Sequence, residues 1–200
     1  MIITAQQKDS LTEVINIALG RAAASLSELT GHRVIIEVPQ VTVCPINEMD
    51  AMLSDVVQGE IATVHQIFSG PVSGDALLLL DYAGALALTQ LLTEGRPTGA
   101  RLDAADREVL TEVGNILLNA CMGTFGSMLQ VHISFSVPRL QLDALRGLLD
   151  SLVIDKVGMR YALVIYATFN LEESSVGGYL LIALGVASLD LLLQAIDGLG

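Results

Sequence analysis

Leu11-Thr12-Glu13-Val14-Ile15-Asn16-Ile17-Ala18-Leu19 returns 99 residues later as Leu110-Thr111-Glu112-Val113-Gly114-Asn115-Ile116-Leu117-Leu118, with seven of the nine positions identical. The same offset lays Val38-Pro39 over Val137-Pro138 and Thr4 over Asp103, two residues able to cap a helix. Thr4-Ala5-Gln6-Gln7 also matches the capping-box pattern, so both copies open a long helix at equivalent places. A repeat on this scale sets the architecture ahead of any local reading. The expectation is a single domain over 1–200 made of two pseudo-repeats, about 1–97 and 98–200, joined at the turn-rich Gly95-Arg96-Pro97-Thr98-Gly99.

Working outward from the repeat, Leu11, Ile15, Ala18, Ala22, Leu26 and Leu29 recur at steps of three and four, and Leu110, Gly114, Leu117, Cys121, Phe125 and Met128 do the same. Each set is one apolar stripe along a helix. β-prone runs follow at 33–38 and 131–137, each expected to end at its proline, Pro39 or Pro138. Short helices are expected near 48–57 and 142–152. Strands are expected at 61–68 and 76–80, and again at 161–170 and 179–183, the second pair joined by a turn over 171–178. A closing helix completes each half. Short turns favour antiparallel pairing, so the predicted class is α/β (α+β): a pseudo-twofold sandwich with one shared, largely antiparallel sheet and two long equivalent helices.

Composition removes several functions. Hydrophobic residues make up 52% of the 200 and charged residues 16%, enough apolar surface for a large core. The net charge is −12, both halves are acidic, Trp is absent and aromatics are 4%, which leaves neither the cations nor the stacking surfaces that nucleic acids or anionic membranes require. The two most apolar stretches, 76–92 and 179–196, are broken by Asp81 and Asp190, so they read as strands running into helices and not as membrane spans. Cys44 and Cys121 stand apart, outside any metal-binding pair, as small core residues of a reducing compartment. No basic-then-apolar leader opens the sequence, and the expected location is cytoplasmic. His32, His65 and His132 are dispersed, Ser69-Gly70-Pro71-Val72-Ser73-Gly74 lacks the Gly-Lys-Ser/Thr ending of a phosphate loop, and Ser73 is out of register for a nucleophile elbow. No metal site or triad is expected.

What remains is polar and duplicated. Glu13 and Asn16 lie three apart, off the buried stripe, as do Glu112 and Asn115, so each pair can reach one partner. A lone Glu-x-x-Asn is weak, and Ser10-Leu11-Thr12-Glu13 could be a capping box, but Val109 breaks that pattern in the second copy. The full spacing is Asp9-x3-Glu13-x2-Asn16-x22-Pro39 and Glu108-x3-Glu112-x2-Asn115-x22-Pro138. With these motifs the sequence resembles the CheC-type chemotaxis phosphatases, the CheC/CheX/FliY family, over nearly its whole length. It departs at Glu108, where Asp or Ser is usual.

The resemblance implies a CheC-like fold and hydrolysis of the aspartyl phosphate of a CheY-type response regulator. The receiver would supply the lysine and the divalent metal, Mg, so no cofactor of the chain's own is expected. Asn16 and Asn115 would orient the attacking water, an amide offering donor and acceptor without charge. Glu13 and Glu112 would bind the receiver lysine. Asp9 and Glu108 would tune that face, and Pro39 and Pro138 would shape the floor beside each helix. The family also binds CheD through the short helix of the second half, here around Leu145, Leu148, Leu149 and Asp150, for which an ordinary packed helix is the rival reading. A monomer is expected, and the competing function is a non-catalytic chemotaxis or flagellar-switch adaptor.

Overall fold

The computed structural model describes residues 3–53, 59–93, 101–144, 147–148, 160–171 and 174–198. Helix α1 (Ala5–Thr30) and helix α4 (Ala104–Leu129) each have 26 residues, and both boundaries differ by the repeat offset. Both open with a capping box. Thr4 Oγ1 accepts from the Gln7 amide at 3.1 Å while Gln7 Oε1 accepts from the Thr4 amide at 3.0 Å. Asp103 and Asp106 exchange the same two bonds at 2.9 Å each. Two otherwise orphaned N-terminal donors are satisfied at each helix start. The helices also end alike, in left-handed residues, Gly31 at φ 73° and Gln130 at φ 55°.

The strands are β1 (Val34–Pro45), β2 (Glu60–Ser69), β3 (Gly74–Asp81), β4 (Ser134–Phe135), β5 (Arg139–Ala144), β6 (Arg160–Leu171) and β7 (Ser174–Gly185). They form one antiparallel sheet in the order β1-β6-β7-β3-β2-β4, with β5 also paired to β2. The halves exchange strands across this order: β1 of the first half pairs β6 of the second, and β5 of the second pairs β2 of the first. β3 and β7 meet in the middle. Between strands lie a 3-10 turn (Ile46–Glu48) with α2 (Met49–Leu53), then α3 (Tyr82–Leu92) and, after β7, α5 (Val186–Asp197).

The long helices cover one face of the sheet together with α3 and α5. Leu11, Ile15, Leu19 and Leu26 from α1 and Leu110, Leu117, Cys121 and Phe125 from α4 join Val64, Leu78, Ile165 and Ile182 in one core. On the other face Cys44, Met49, Leu53 and Leu148 pack on Leu77, Leu79, Val164 and Leu181 in a smaller core. β3 is apolar from Ala76 to Leu80 because Leu78 and Leu80 face one core and Leu77 and Leu79 the other. Among the described residues no helix is long and apolar enough to cross a membrane.

Four expectations are corrected. Pro39 does not end its strand: β1 continues to Pro45, and the register slips between Glu37 and Gln40, so the proline sits in a bulge of an edge strand, where its missing N–H costs no ladder bond. In the second half only Ser134–Phe135 forms a strand before the break that contains Pro138; there the Ser136 hydroxyl accepts from the Ile67 amide and the Ser136 carbonyl accepts from Gln66 Nε2, both at 2.9 Å, so the break stays tied to β2. The helix expected from Leu142 begins later, since Leu142 pairs with Ala62 inside β5. Of the long turn expected over 171–178, Leu171 and Ser174 to Gly178 are strand, Leu171 pairing with Ser174, and 172–173 lie outside the described residues. Leu29, in the first apolar stripe, is 61% exposed. The joint expected at 95–99 lies outside the described residues.

Burial pushes the Cys121 thiol up from 9.0 to about 12. A raised thiol pKa stabilises the fold fully below about pH 9 and progressively less as pH rises towards 12, because the unfolded chain ionises first. Denaturant unfolding at stepped alkaline pH is expected to show this loss, and Cys121→Ala to flatten it. Below pH 9, Cys121 in the native protein should resist thiol reagents that label the unfolded chain at once.

Candidate functional site

The repeated Leu-Thr-Glu-Val segment distributes its side chains by chemistry. Leu11 and Val14, with Leu110 and Val113, are buried in the core. Thr12 and Thr111 turn back on their own helices, their hydroxyls donating to the Lys8 and Arg107 carbonyls at 2.8 and 2.7 Å. These threonines are thereby accounted for, and the Glu and Asn of each copy are left outside the core. Asp9, Glu13 and Asn16 are exposed on α1; Glu108 and Glu112 are exposed on α4, and Asn115 is half-buried. In each helix the three polar residues follow at steps of four and three, which stacks them in one row.

The two rows lie at opposite ends of the helix pair, since the C-terminal turns of α1 come against the N-terminal half of α4. An apolar groove of about 290 Å³ forms at that meeting, walled by Leu26, Leu29, Leu92, Val109 and Val113 and completed by Glu108 and Glu112. The exposed Leu29 is its lip. In the first row Ser10 stands where Val109 stands in the second, so that one wall position is apolar only beside the second row, while Leu29 is matched by the apolar Met128.

Two further residues of α4 escape the sequence reading. Asn119 Nδ2 donates to Asn115 Oδ1 at 2.8 Å, extending the row by one turn. Its counterpart in the first copy is Gly20, so a search for identical pairs passes over it; the signal that could have found it is the step of four from Asn115. Gly114, beside Asn115, is the second. A Cβ there would come within 2.5 Å of Val64 Cγ1, so α4 lies closer to β2 than a side chain permits, where α1 carries Ile15.

The remaining expected residues are placed as follows. Pro39 lies in the β1 bulge and Pro138, partly buried, in the break before β5, so both belong to the sheet side of the molecule and not to the helices that carry the Glu-Asn pairs. Of the four residues considered for CheD, Leu145, Leu149 and Asp150 lie outside the described residues, and Leu148 is buried at 4% in the far core. Among the described residues no group of three or more His, Cys, Asp or Glu could hold a metal ion. His65 is engaged, Nε2 lying 3.0 Å from Asp75 Oδ1.

Comparison with known proteins bears on this arrangement. No family model matches the chain. It is 25% identical over 142 residues to the flagellar motor switch phosphatase FliY of Bacillus subtilis (strain 168), a match covering 70% of this chain and 36% of that protein. It is 26% identical over 148 residues to the CheY-P phosphatase CheC of the same organism, covering 70% of this chain and 68% of CheC. The crystal structure of Thermotoga maritima FliY matches with a TM-score of 0.77 at 19% identity, over 99% of both chains. In sequence and in fold the chain is similar to CheC-type proteins. The same fold extends to the FliM middle domain from H. pylori, at a TM-score of 0.68 and 11% identity over 96% of this chain and 99% of that one.

Because Gly114 sets the height of α4 above the sheet, it also sets the height of the second row. Gly114→Ala adds helix propensity of roughly 1 kcal/mol but overpacks Val64 by about 1–3 kcal/mol, so a net loss is expected. Val64→Ala should recover most of it. A double-mutant cycle by denaturant unfolding is expected to give a coupling of about 1 kcal/mol, and purely additive effects would remove Gly114 as the spacer.

Proposed function

We propose that the protein hydrolyses the aspartyl phosphate of a CheY-type response regulator. The observation that carries this reading is the duplicated Glu-x-x-Asn pair, displayed outside the core at equivalent places on two equivalent helices while the neighbouring Leu and Val are taken up by packing and the Thr by back-bonds to its own helix. Neither pair is needed to hold its helix. The relative named a CheY-P phosphatase supports this substrate, and the one named a flagellar motor switch phosphatase supports the reaction.

The reaction asks little of the protein. Water attacks phosphorus, the bond from phosphorus to the aspartyl oxygen breaks, and the products are inorganic phosphate and the receiver carboxylate. The receiver's own lysine and divalent metal balance the phosphoryl charge. Asn16 or Asn115 enters beside the phosphoryl group, accepts a hydrogen bond from the attacking water and holds it in line. Glu13 or Glu112 meets the receiver lysine through a charge-assisted bond and fixes the helix over the site. Neither Glu acts as a base in this scheme. The groove walled by Leu26, Leu29 and Val109 gives the second site an apolar surface on which a receiver can rest.

A second reading, a switch adaptor that binds a receiver without hydrolysing it, draws on the fold shared with the FliM middle domain. The decay of a phosphorylated CheY-type receiver from the same genome separates the two. The wild type is expected to accelerate decay, Asn16→Ala and Asn115→Ala each to remove one site's share, and the double variant to lose about 10²–10³-fold, the range for removing an orienting amide. Receiver binding with an unchanged phosphoryl lifetime would establish the adaptor instead.

A further inference from the structure

Asn119 extends the α4 row by a polar residue that has no counterpart on α1, and its side chain is engaged with Asn115. Its amide donates to Asn115 Oδ1 at 2.8 Å, while its own Oδ1 is buried with no hydrogen-bond partner among the described residues. A buried carbonyl left unpaired destabilises the fold, and Gly20 shows that the equivalent helix does without any side chain at this position. Packing therefore does not explain the residue. The terminal torsion of an asparagine is broad, so a free amide rotates and presents oxygen and nitrogen in turn. A donor fixed four residues along the same helix occupies one lone pair of Asn115 Oδ1, leaves the other for a water, and sets which end of the amide faces outward.

We propose that Asn119 is a positioning residue: it holds the Asn115 amide in the orientation that accepts from the attacking water and makes the second site the preorganised one of the two. This deepens the phosphatase reading and rests on it. Asn16, exposed and followed four residues later by Gly20, has no such clamp and works through a rotating amide.

The test isolates each site in the intact chain. In an Asn16→Ala background, where only the second site remains, Asn119→Leu keeps the volume and removes the donor. Its kcat on the phosphorylated receiver is expected to fall about tenfold, less than the roughly 10²-fold that gross misplacement costs, with KM unchanged. Asn119→Gln, which can still donate, should restore most of the rate. In an Asn115→Ala background, Gly20→Asn installs the clamp at the first site, where a Cβ meets nothing within 4 Å, and is expected to raise kcat there. Side-chain amide NMR supplies a readout that packing alone would not move: the Asn115 NH2 group should be ordered in the wild type and become as mobile as that of Asn16 in Asn119→Leu. An unchanged kcat in Asn119→Leu, or a change confined to KM, overturns the positioning role while the phosphatase reading stands. A wild type that leaves the receiver's lifetime unchanged overturns that reading and this role with it.

Discussion

The pairing of β3 with β7 at the centre of the sheet is the constraint on which the other elements depend. Gly74 pairs with Leu184 and Leu79 with Tyr179, and the β3 residues between them are buried. A Cβ on Gly74 would strike the carbonyl oxygen of Ala183, so the seam closes only because that position is glycine. On either side of the seam each half hands a strand to the other's hairpin, β1 to β6 and β5 to β2. Neither half can complete its own sheet, so the two must fold as one unit. The exchange also brings α1 and α4 to the same face, where Ile15 fills the space beneath one helix and Gly114 yields the equivalent space to Val64 beneath the other.

Symmetry of the scaffold leaves the two helix faces free to differ. Caps, lengths and the two threonine back-bonds are shared, because they answer to helix formation and nothing else. The differences cluster on α4: Gly114 lowers the helix onto Val64, Asn119 engages Asn115, and Val109 with Leu29 lines a groove beside Glu112. The α4 positions involved lie within about three turns of one another, as a helix of 3.6 residues per turn dictates. Duplicated helices that differ at these positions are what the proposed pair of unequal sites would require.

Much of this is legible in the repeat alone. One offset sets both helix boundaries and both caps, because the capping groups and the apolar stripes are local signals that a single alignment reads twice. It fails where tertiary pairing overrides local preference. Pro39 looks like a strand end, yet an edge strand with a bulge carries it through to Pro45. Leu142 looks helical, yet β2 takes it as strand along its free edge. Ser174 to Gly178 reads as turn from its composition, but β6 holds it in register to the last pair. On the site, Glu13, Asn16, Glu112 and Asn115 stand out because they repeat, and Asn119 goes unnoticed because it does not.

A helix face of this kind suits a reaction whose charges are already balanced by the substrate protein. Two rows of side chains four and three residues apart reach about two turns along the surface, enough for a carboxylate and an amide to meet a lysine and a phosphoryl group on a facing receiver. The proposed reaction requires no deep pocket, because the receiver would bring its own. The difficulty of catalysis on an open surface is orientational: an exposed amide such as Asn16 must find its working rotamer on each encounter, while an amide held from behind meets the water already aligned. Rigidity along the helix axis, set by the caps at one end and by the close approach of Gly114 to Val64 beneath, is therefore the property of the fold on which the proposed chemistry would draw.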